Sequence, residues 1–128
     1  MIAITRRTTL KGTLALAATS LAPSVLHARE ARPGLFLFDA RFAASRQLAE
    51  QWRAQGVPVL DSREHDLGLA WRERIPQALA ANPRIEGVTL WSDRFICETF
   101  GRDHSLAMTV ADSALPGADP ALRQWVLA

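Results

Sequence analysis

From Gly34 onward, short apolar runs alternate with longer stretches of helical periodicity. Leu35-Phe36-Leu37-Phe38 is a continuous apolar run between Gly34 and Asp39, the pattern of a strand buried on both faces. Residues 40–55 are rich in Ala, Arg, Gln, Glu and Leu, which favour helix, and they put Phe42, Ser45, Leu48, Ala49 and Trp52 on one face. Asp39 stands where an N-cap belongs and Gly56 where the helix should stop. Val57-Pro58-Val59-Leu60 is a second apolar run. Pro58 cannot donate to a ladder, which predicts an edge strand or a strand start. A polar loop, Asp61 to Asp66, follows. Asp66 is the expected cap of a second helix, with Leu67, Trp71, Ile75, Ala78 and Leu79 at helical spacing. Pro76 falls inside that pattern and predicts a kink or a division, and Asn82-Pro83 ends it.

Gly87 to Trp91 reads as a third strand, with Ser92-Asp93 as the following cap. Residues 94–103 read as a third helix with Ile96, Cys97 and Phe100 inward, and Leu106 to Val110 as a fourth strand. In the tail, Ala114 to Gly117 reads as a loop. Asp119-Pro120 reads as an N-cap followed by Pro at the first helical position. Residues 121–127 fit a short helix or, around Trp125-Val126-Leu127, a last strand. The alternation predicts a small α/β domain, a three-layer sandwich with a mostly parallel four- or five-stranded sheet. Right-handed crossovers would give it a flavodoxin-like or Rossmann-like topology.

In such sheets, ligands bind outside the carboxyl ends of the strands. Four polar segments are expected there: Asp39-Ala40-Arg41, Asp61 to Asp66, Ser92-Asp93-Arg94 and Asp112-Ser113. Asp39, Asp61, His65 and Ser92 are the candidates for catalysis, with a carboxylate or His65 as general base. Arg41, Asp66, Trp91, Asp93 and Arg94 are the candidates for holding a ligand. The plainer role for Asp39, Asp66 and Ser92 is helix capping, which needs the same residue types at the same places. The loop at 61–66 carries more charge than a tight connection needs.

Absent patterns narrow the chemistry. No G-x-G-x-x-G follows the first strand, which disfavours a dinucleotide, and there is no P-loop, G-x-S-x-G elbow or H-E-x-x-H. His65 and His104 are too few for a histidine-rich metal site, so no metal site is expected, and the cofactor question stays open. Cys97 is the single cysteine and lies in an apolar stretch, which favours a packing role. Trp52 and Trp71 fall on inward faces, whereas Trp91 at a strand end is placed to line a pocket.

The segment ahead of Gly34 is of another kind. Thr5-Arg6-Arg7-Thr8-Thr9-Leu10-Lys11 resembles the twin-arginine export pattern Ser/Thr-Arg-Arg-x-Phe-Leu-Lys, departing from it at Thr9. An uncharged, mostly apolar run, Gly12 to Leu26, follows. It is shorter than the roughly 20 residues of a permanent membrane span. Leu26-His27-Ala28 resembles an A-x-A cleavage site. The resemblance implies a signal peptide over 1–28, recognised through Arg6 and Arg7 by the twin-arginine translocase and cut after Ala28. It also implies a single periplasmic domain over 29–128 without a permanent membrane anchor.

That division changes the charge balance. The whole chain carries 15 basic and 13 acidic residues, but Arg6, Arg7 and Lys11 all fall in the export segment. The remainder is close to neutral and gives no electrostatic reason to expect nucleic acid. Two functions are compatible with these features. One is a non-enzymatic accessory or binding domain, compatible with a periplasmic protein partner. The other is a small hydrolase-like enzyme built on the strand-end residues.

Overall fold

The structure, a computed structural model, describes residues 32–128. The export segment, with Arg6, Arg7 and Ala28, lies outside the described residues. Along the chain run β1 (Leu35–Phe38), α1 (Ala43–Ala54), β2 (Val59–Asp61), α2 (Leu67–Glu73), α3 (Ile75–Ala81), β3 (Ile85–Thr89), α4 (Trp91–Arg102), β4 (Met108–Val110) and β5 (Arg123–Leu127). They form one sheet in the order β2-β1-β3-β5-β4.

The mostly parallel, flavodoxin-like sheet expected from the alternation is corrected here. β1 pairs in parallel with β2 and β3, but β5 pairs antiparallel with both β3 and β4, and antiparallel positions outnumber parallel ones. The reason lies in the C-terminal segment. The crossover through α4 carries β4 two places beyond β3, and β5 returns into the gap between them. The tail is therefore the strand of the two alternatives, and Asp119 shapes a turn, accepting the Ala121 N–H at 2.8 Å. Gly87 makes room for β5, since any Cβ there would overlap the Trp125 ring. Trp125 Nε1 donates to Thr89 Oγ1 at 3.0 Å across the same pair of strands.

Alternating side chains divide the core. Leu35, Leu37, Leu60, Ile85, Trp125 and Leu127 meet Leu67, Trp71, Ile75, Leu79 and Cys97 from α2, α3 and α4. α1 packs against β1 and β2, burying Ser45, Leu48, Ala49 and Trp52. Its stop is a Schellman turn, with Gly56 N–H to Arg53 O at 3.0 Å and Val57 N–H to Trp52 O at 3.0 Å. Gly56 has φ +84°, the left-handed conformation that this turn requires. Pro58 precedes edge strand β2, and Pro76 stands in the first turn of α3, separated from α2 at Arg74.

Candidate functional site

Three strand ends meet at one edge of the sheet. Asp39 leaves β1 fully buried, and its carboxylate takes Arg41 Nε at 3.0 Å and Arg41 NH2 at 2.7 Å. It also accepts the Arg41 backbone N–H at 3.1 Å. Asp39 is therefore not the cap of α1. Phe42 occupies that position without a side-chain cap, and Ser45 ties the helix down instead. Ser45 Oγ accepts the Asp39 N–H at 2.9 Å and donates to Val88 O on β3 at 2.7 Å. Asp61 ends β2, with Oδ1 accepting from Ala40 N–H at 3.3 Å and Arg63 N–H at 2.9 Å. Asp61 thus laces the β1 and β2 loops together, while Asp39 clamps Arg41 within its own loop.

Asp93 enters from the first turn of α4. Burial raises its pKa, and the charge of nearby Asp39 adds to that rise, against the pull of the Ser62 hydroxyl, Arg63 and Arg41. Burial pushes Asp39 up too, but there the hydrogen bonds and charge of Arg41, with Arg63, prevail and hold it below the ordinary value. The Asp39 bond keeps the Arg41 guanidinium more basic than usual. Ser62 is buried close enough to Asp93 to favour its ionised form, yet its hydroxyl makes no well-formed hydrogen bond. Asp39, Arg41, Ser62, Arg63 and Asp93 therefore share one electrostatic neighbourhood.

The other candidates are placed differently. His65 is exposed, with Nδ1 3.2 Å from the Asp61 carbonyl oxygen. Asp66 caps α2, its Oδ1 accepting the Leu69 N–H at 2.9 Å. Ser92 is exposed inside the first turn of α4 and is no cap, because β3 ends at Thr89 and the helix begins at Trp91. Trp91 is 61% exposed and stacks on Phe95 with centroids 5.1 Å apart. Arg94 is half-buried, and its Nε has no hydrogen-bond partner. Asp112 and Ser113 follow β4, from which β3 is separated by β5, so they do not join the cluster. The sequence reading missed Ser62 and Arg63 as individual members. Their position directly after β2 was the available signal.

Two grooves, of about 310 and 270 Å³, lie elsewhere. One is lined by Leu35, Pro58, Leu60, Arg74 and Ile75, the other by Pro76, Leu79, Pro83, His104 and Leu106. Cys97 is buried, which pushes its thiol up to about 12, so it stays a thiol at neutral pH. Among the described residues, no group of three His, Cys, Asp or Glu is disposed to hold a metal ion, and no helix is long and apolar enough to cross a membrane. No protein-family model, curated protein or solved structure matches the chain.

Proposed function

We propose that the chain is an exported, non-enzymatic binding domain of the bacterial periplasm. Its recognition surface is the edge formed by the ends of β1 and β2 and the start of α4. One observation carries this reading: the carboxylates best placed for chemistry are spent on the framework. Asp39 is sealed under Arg41, and Asp61 holds two backbone N–H groups. Among the groups the edge offers to solvent is a guanidinium, Arg41, whose side chain is 48% exposed. A clamped guanidinium of fixed orientation suits recognition of a polar ligand or partner better than proton transfer. The periplasmic assignment rests on the resemblance of residues 5–11 to the twin-arginine pattern.

A second reading, a small hydrolase-like enzyme, draws on the opposite pKa displacements of Asp39 and Asp93. Such a divided carboxylate pair is a common way of separating acid from base. One experiment separates the two. The chain and its Arg41→Ala variant are recovered from the native periplasm and examined by native mass spectrometry. A small molecule or protein that stays with the wild type and is lost from the variant supports binding. A chain that arrives alone and hydrolyses model esters, phosphates or glycosides, with activity lost in Asp93→Asn, replaces binding with catalysis.

A further inference from the structure

Arg41 gives Nε and NH2 to the Asp39 carboxylate at 3.0 and 2.7 Å. That pairing uses one edge of the planar guanidinium. The other edge, NH1 with the second NH2 hydrogen, makes no hydrogen bond among the described residues and points away from Asp39. The Phe42 ring lies beside the group, its centroid 5.5 Å from Cζ. The result is an oriented pair of free donors on a half-exposed side chain. Such a fork matches two oxygens of a carboxylate or phosphate.

Ser62 is a second, independent sign. It is only 8% exposed, and its hydroxyl is shut off from water without a well-formed hydrogen bond. A buried polar atom in that state calls for a partner. The hydroxyl is turned towards Asp93, in the first turn of α4. That turn has no side-chain cap, so its leading N–H groups lack a side-chain acceptor. Arg63, exposed beside Ser62, acts by charge on both Asp39 and Asp93. Donors and positive charge thus converge from the β1 loop, the β2 loop and α4. Asp39 and Asp61 oppose an anion little, the first being neutralised by Arg41 and the second bound by two backbone N–H groups.

We infer that this edge takes an oxyanion, a carboxylate or phosphate group of the ligand, held by the free fork of Arg41, the Ser62 hydroxyl and the first-turn N–H groups of α4. Arg63 adds a second positive charge, and Asp93 is the carboxylate left to repel the ligand, which limits affinity. The inference rests on the binding reading and names the chemistry of what is bound.

Amide NMR of the full chain, titrated separately with inorganic phosphate and with acetate, tests it. Sodium chloride at equal ionic strength is the blank. At least one anion should give saturating shifts at Arg41, Ser62 and Asp93, with dissociation in roughly the millimolar range for so small a probe. The anion that binds more tightly identifies the source of the oxygens. Arg41→Lys keeps the charge but loses the fork, and should weaken binding about tenfold. Ser62→Ala should weaken it several-fold with the melting temperature unchanged, and Asp93→Asn should strengthen it several-fold. Neither anion saturating beyond the chloride blank overturns the inference. So does wild-type affinity in Arg41→Lys. A neutral or cationic molecule that wild type retains and Arg41→Ala loses, with no competition from either anion, overturns this inference and leaves the binding reading intact. Saturable anion binding by a chain that also hydrolyses a model substrate does the reverse.

Discussion

Two aspartates a short distance apart are pushed in opposite directions by their surroundings. Asp39 is held below the ordinary carboxylate value, so its stabilising contribution is complete above that value and is lost as pH falls through the depressed one. Asp93 is raised, so its ionised form costs stability at neutral pH, and the cost disappears as pH falls through the raised value. Asp93→Asn is therefore expected to raise the melting temperature at pH 7, with the gain shrinking towards about pH 4. Asp39→Asn is expected to lower it by the equivalent of about 2 kcal/mol at pH 7, the scale of a charge-assisted hydrogen bond. That loss narrows only under more acid conditions. Thermal melts across pH check both signs. At this scale the sequence was partly legible. The positions of Asp39, Asp61 and Asp93 after apolar runs marked a strand-end cluster, and Asp66 was identified as a cap. The sequence could not tell capping from clamping for Asp39, because Arg41 two residues on is reached only once the chain turns sharply at Ala40.

Elements with strong periodicity were read directly. The inward face of α1, its stop at Gly56, the division of the second helical pattern at Pro76 and the edge position implied by Pro58 all follow from local chemistry. β3 was displaced by two residues because Leu90 and Trp91 continue the apolar run, although Trp91 already belongs to α4. β5 was harder to place. Trp125-Val126-Leu127 is too short to separate helix from strand by period, and its insertion depends on Gly87, nearly forty residues earlier. That dependence gives an element-scale prediction. Gly87→Ala drives a methyl into the Trp125 ring and should cost about 2 kcal/mol or more. Combining it with Trp125→Leu should cost less than the two changes added together. Denaturant unfolding of the three variants measures the coupling, and strict additivity would show that the ring and Gly87 do not meet.

For the whole molecule, β5 decides whether the sheet exists as one piece. It alone bridges β3 and β4, and it brings Trp125 and Leu127 into the main core. A chain ended after Asp119 is expected to lose its cooperative thermal transition altogether. A truncated chain that still melts sharply would mean that β1 to β3 and their helices are sufficient alone. The same arrangement orders events in time. The sheet's interior awaits a segment made after every other described element, so no nascent chain still tethered to the ribosome through that segment has a finished core. For a chain proposed to leave the cytoplasm, a copy lacking β5 would then have no closed globule to present at the gate.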